Sequence, residues 1–181
     1  MGKKNLSFFE YMNMLENEYK EFSPQKLLIL GTRIAESEFG KYGSYFKVPK
    51  FNKYGQLLEG GLSMLKKVII DRESVSGPEV DEQQKNVVYA SNKLCNKLDF
   101  GNPNDAGLIS IIVTISGTID YFKTLDPLYM IEVWRGPAIY DIEASGEDLL
   151  ELEQYGYYEV FKSEFKDQIE LLWRLKGRLG I

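Results

Sequence analysis

Residues 108–119 read LISIIVTISGTI, a run dominated by Ile, Val and Thr in which apolar and small polar side chains alternate over short segments. β-branched residues lose side-chain freedom in a helix and fit a pleated surface, and a repeat of two is the repeat of a strand. Residues 128–133 and 138–142 have the same character, and Arg135, Gly136 and Pro137 between them have turn chemistry that would make the two runs neighbours. These runs predict a central, mainly antiparallel sheet over residues 107–143.

The flanks read as helix. Ser7 and Glu10 form a capping box ahead of Phe8, Met12, Leu15, Tyr19 and Phe22, which recur at spacings of three and four and predict a helix over residues 8–22. Ser23 and Pro24 then offer an N-cap and a first helical position, and Leu27, Leu30, Ile34 and Ala35 carry an apolar stripe toward Gly40; a buried strand over residues 27–30 is the alternative. Residues 41–55 contain Pro49 and two copies of Lys-Tyr-Gly, which suggests an irregular edge strand or loop. A helix is expected to begin after Gly60 and Gly61, a long exposed loop to cover residues 72–84, and another helix residues 82–98. A long amphipathic helix over residues 157–176 closes the chain. Helices and strands are segregated, so the expected class is α+β: N-terminal helices, the sheet and a C-terminal amphipathic helix, in one globular domain over residues 1–181.

Composition removes many chemistries. The 181 residues include no His, which excludes imidazole-based triads, thiol–imidazole pairs and histidine metal sites. Cys95 is the single cysteine, so an internal disulfide framework and a cysteine-rich metal or iron–sulfur site are excluded too, and a cytoplasmic or other intracellular setting is expected. No glycine-rich dinucleotide fingerprint and no phosphate-binding loop is present, so no cofactor is expected. The best apolar stretch, residues 106–117, is shorter than a membrane span and interrupted by Ser and Thr. An apolar signal core after Lys3 and Lys4 is denied by Asn5, Ser7, Glu10 and Asn13. Gly2 comes near a myristoylation signal, but Ser stands at position 7 where the pattern wants position 6.

The net charge of −5 argues against a general nucleic-acid coat, yet it is unevenly distributed. Residues 1–100 hold 15 Lys and Arg against 13 Asp and Glu, while residues 101–181 hold 7 against 14. Within residues 41–72 seven bases face only Glu59 and Asp71, and aromatic rings are interleaved among them. Lys41, Tyr42, Tyr45, Lys47, Lys50, Lys53 and Tyr54 are therefore candidate contacts for nucleic acid or an anionic membrane surface. Weighed against this is an ordinary lysine-rich surface with its rings packed inward. Asp141, Glu143, Glu147, Asp148, Glu151 and Glu153 form an opposite, acidic patch, with no Lys or Arg from residue 136 to 161. Such a patch suits a basic partner or the basic segment of another copy.

Residues 139–146, IYDIEASG, resemble the first motif of the DnaQ-like exonucleases, whose Asp and Glu two apart on a strand hold catalytic metal ions. The resemblance covers eight residues and implies Asp141 and Glu143 as metal ligands. That family requires further acidic residues well downstream of the motif, and only 38 residues follow Glu143 here. Without a broader catalytic pattern, the expected function is that of a non-enzymatic interaction protein working through protein–protein contacts, its partner a protein or a second copy of itself. Small size and the twelve Tyr and ten Phe are compatible with a viral or phage accessory protein. Two alternatives differ in kind: a self-assembling viral structural protein of the matrix type that meets membrane or nucleoprotein, and a metal-dependent nuclease using Asp141 and Glu143.

Overall fold

The computed structural model describes residues 20–99 and 102–145, together with residues 13, 16 and 17. Among these residues there is no strand. The elements are α1 (Pro24–Tyr42), a 3₁₀ turn (Gly43–Lys47), α2 (Pro49–Leu65), a π-helical turn (Lys66–Ile70), α3 (Gly77–Cys95), α4 (Pro103–Thr124) and α5 (Pro127–Ser145). The expected helices over residues 8–22 and 157–176 fall largely or wholly outside the described residues, although residues 13, 16, 17 and 20 are helical.

The sheet expected over residues 107–143 is corrected to the antiparallel pair α4 and α5, so the class is helical and not α+β. The reason lies in burial. Leu108, Ile111, Ile115 and Ile119, spaced three and four apart, are at most 1% exposed, and α4 is apolar around most of its circumference because its neighbours surround it. The helix penalty of a β-branched residue is at most about 0.7 kcal/mol. Full burial of one large apolar side chain returns about 1.5–3 kcal/mol. The hydroxyls fit the helix as well: Thr114, Ser116 and Thr118 donate to the carbonyl oxygens four residues back at 2.8, 2.7 and 2.7 Å. That local bond satisfies a buried hydroxyl in a helix interior.

Other boundaries shift for similar reasons. Residues 41–55 are neither edge strand nor loop: they hold the end of α1, the 3₁₀ turn and the start of α2, where Pro49 is the first helical residue. α2 runs through Gly60 and Gly61 instead of starting after them, and the connection to α3 is only residues 71–76. Ser76 caps α3, its Oγ accepting the Glu79 N–H at 3.3 Å. α1 begins at Pro24 behind Ser23, as its apolar stripe predicts.

α4 is the axis of the molecule. α1 crosses it antiparallel, with Gly31 against Thr118 and Tyr42 against Gly107, and α5 returns along it with Gly117 against Val133 and Gly136 against Val113. α2 and α3 form a second antiparallel pair that meets α4 through Gly61, Val87, Ile115 and Ile119. The α1–α4 seam is partly polar: Glu38 is 1% exposed, accepts from Ser110 Oγ at 2.5 Å and pairs with Lys41 at 2.9 Å. Residues Asp105–Thr124 would be long and apolar enough to cross a membrane, but 72% of that stretch is buried by the other helices, the situation of a core helix.

Candidate functional site

The α2–α3 pair presents a face rich in lysine and tyrosine. Two acid-free stretches make it: residues 39–58 carry Lys41, Lys47, Lys50 and Lys53, and residues 83–98 carry Lys85, Lys93 and Lys97. Antiparallel packing of α2 on α3 sets Tyr54 beside Tyr89, ring centroids 6.3 Å apart and planes inclined at 46°. Around the two rings stand the amines of Lys53 and Lys93, 5.6 and 5.9 Å from the Tyr89 centroid, and of Lys97, 4.8 Å from that of Tyr54. Lys97 Nζ also donates to the Tyr54 hydroxyl at 3.2 Å. Lys50 lies one turn before Lys53, its amine 4.4 Å from the Phe51 ring.

The described bases divide into those paired with a carboxylate and those, Lys26, Lys67 and Arg72 outside the face among them, that pair with no described one. Lys20, Arg33, Lys41, Lys66, Lys123 and Arg135 each pair with a carboxylate. Lys50, Lys53, Lys93 and Lys97 form no ion pair with any described carboxylate, and among the described residues the neighbours of their amines are aromatic rings, whose attraction is weak. In the first turns of α3, Lys123 donates to Asp81 at 2.6 Å and to Gln84 at 2.6 Å, and Gln84 donates to Asp120 at 2.6 Å. Lys123 holds the Asp81 carboxyl below the ordinary carboxylate range.

Two shallow hollows flank the face. One, about 340 Å³, is lined by Phe39, Phe46, Lys47, Asn52, Gln56 and Glu59, among others. The other, about 360 Å³, lies along α3 and is lined by Gln84, Lys85, Val88, Tyr89 and Asn92. Val88 and Tyr89 are 44% and 43% exposed, which is high for large side chains on a helix that buries its other side.

The seven residues singled out in the sequence divide. Lys50, Lys53 and Tyr54 belong to the face; Lys47 lines the adjoining hollow, and Tyr45 is exposed on the 3₁₀ turn. Lys41 is neutralised by Glu38, and Tyr42 packs against Gly107 inside the bundle. Tyr89, Lys93 and Lys97 lie outside the basic segment 41–72, some forty residues from Lys53 and Tyr54, so no local pattern joins them to it; the acid-free stretch 83–98 is the available signal.

The acidic patch fares differently. Asp141 and Glu143 lie in the last turns of α5, not on a strand, so the strand spacing behind the exonuclease resemblance is absent. Glu147, Asp148, Glu151 and Glu153 lie outside the described residues. Among the described residues no group of three or more Asp, Glu or Cys is placed to hold a metal ion. Desolvation pushes the Cys95 thiol up, which leaves little of the reactive thiolate at neutral pH. No family model matches this chain, and no curated protein or solved structure is detectably similar to it.

Proposed function

We propose that this is a non-enzymatic binding protein that captures an anionic macromolecule on the α2–α3 face. The observation that supports the reading is the cluster of Lys53, Lys93 and Lys97, gathered from two helices around Tyr54 and Tyr89 without a described carboxylate partner, with Lys50 one turn before Lys53 on α2. Like charges held together repel one another, and an anionic partner relieves that repulsion while releasing counterions. An acidic protein, another copy of this chain included, is one class of partner that such a face suits.

Titration with heparin tests the reading. Binding should weaken steeply between about 50 and 200 mM salt, and charge reversal by Lys53→Glu, Lys93→Glu and Lys97→Glu together should abolish it. The triple reversal of Lys20, Lys26 and Lys67, which lie elsewhere, should leave most of the affinity. No heparin binding at low salt, or equal losses from the two triple variants, would remove the face as a binding site.

A further inference from the structure

Resting on the anionic-partner reading, we infer that the partner is single-stranded nucleic acid, with Tyr89 as the platform on which one base stacks. Three features of the face go beyond charge. Tyr89 is 43% exposed although lysine amines stand over its ring at 5.6 and 5.9 Å, distances loose enough for the amines to swing toward phosphate and leave the ring to a base. The hollow beside the ring is lined by the apolar Val88 and by the carboxamide of Asn92, which offers both donors and an acceptor oxygen to a base edge. Gln84, which also lines the hollow, is held by Asp120 and Lys123, so its position is set before a ligand arrives.

Other anionic partners use this combination poorly. A duplex keeps its bases stacked, so neither the ring nor the hollow would be engaged. An anionic membrane needs Leu, Phe or Trp beside the lysines to enter the acyl boundary, and this stripe of α3 offers Val88, the polar-tipped Tyr89 and amides. Acidic side chains of a protein would meet the lysines but leave the hollow unfilled. Bases of a single strand stack on aromatic rings whatever their sequence, while lysines follow the backbone.

Fluorescence anisotropy with a labelled oligothymidine of about 12 nucleotides decides it, run beside a hairpin duplex of equal charge, polyglutamate and phosphatidylserine vesicles. The single strand should bind at least about tenfold more tightly than the duplex, with log affinity falling against log salt at a slope near −3 for four lysines. Tyr89→Ala should weaken it between about fivefold and 150-fold without changing that slope, and Tyr89→Phe should retain it. Lys93→Gln with Lys97→Gln should flatten the slope by about 1.4. Tyr89 is a surface residue, and thermal melts of each variant confirm that the fold is kept. Equal affinity for single strand and duplex, or an unchanged Tyr89→Ala variant, overturns the inference and leaves the anionic-partner reading standing. Binding of polyglutamate or vesicles without the oligonucleotide also overturns it alone; binding of none of the probes overturns both.

Discussion

Gly60 and Gly61 are neighbours inside α2, and replacing each in turn by Ala should have opposite effects on stability. In a helix interior Ala is favoured over Gly by about 1 kcal/mol, and both substitutions receive that gain. Their surroundings differ. A Cβ at Gly60 would meet only the end of the Gln83 side chain, Oε1 at 3.0 Å, which can swing aside. A Cβ at Gly61 would lie 2.5 Å from Val87 Cγ2, 3.2 Å from Ile119 Cδ1 and 3.4 Å from Ile115 Cγ2. Val87 and Ile119 are at most 1% exposed and have no room to move, and overpacking of this kind costs about 1–3 kcal/mol. Gly60→Ala should therefore stabilise by up to about 1 kcal/mol, which for a chain of this size raises Tm by about 2–4 °C. Gly61→Ala should be neutral to about 2 kcal/mol destabilising. Val87→Ala, which clears the contact, should cost about 1.6 kcal/mol alone and noticeably less in the Gly61→Ala background, a coupling of at least about 0.5 kcal/mol. Circular dichroism melts and urea titrations of the four variants measure this. If Gly61→Ala proves as stabilising as Gly60→Ala, α2 does not pack on α3 and α4 through Gly61 and the helix arrangement described above is wrong.

Other consequences concern charge and strain. Lys66 and Arg33, each donating to the Glu36 carboxylate at 2.6 Å, hold that carboxyl below its usual range. The unfolded chain thus takes up this proton first, so the stabilisation is present at neutral pH and is lost as pH falls from about 5 through the folded pKa. Partial exposure keeps it below about 1 kcal/mol, and Glu36→Gln should lower stability at pH 7 while matching the parent near pH 3 in urea titrations. At the α4–α5 turn, Leu125 has φ 56° and a side chain 53% exposed. A left-handed conformation costs a non-glycine residue about 1–2 kcal/mol, so Leu125→Gly should be neutral to about 1 kcal/mol stabilising; a clear drop in Tm would show that the exposed leucine makes a contact the bundle needs.

The sequence by itself determined where helices begin more fully than its apolar patterns suggest. Of six prolines, Pro24, Pro49, Pro78, Pro103 and Pro127 all fall in the first turn of a helix, where a missing N–H costs nothing. The apolar pattern assigns this role to Pro24 alone, and Pro49 there suggests an irregular edge strand or a loop. The absence of His and the single Cys likewise exclude their chemistries whatever the fold. Tertiary structure decided residues 108–119. Their alternation of Ile with Ser and Thr satisfies a strand, and the spacing of Leu108, Ile111, Ile115 and Ile119 satisfies a helix equally well; four surrounding helices bury the second pattern, and that burial outweighs the small helix penalty of β-branching. It also decided that α2 continues through Gly60 and Gly61, since at Gly61 close approach to Val87 needs a residue without a side chain. The candidate face was half visible, since Lys50, Lys53 and Tyr54 are adjacent in sequence while Tyr89, Lys93 and Lys97 join them only through the antiparallel packing of α2 on α3. Proximity between distant segments is created by packing, and local residue patterns carry no record of it.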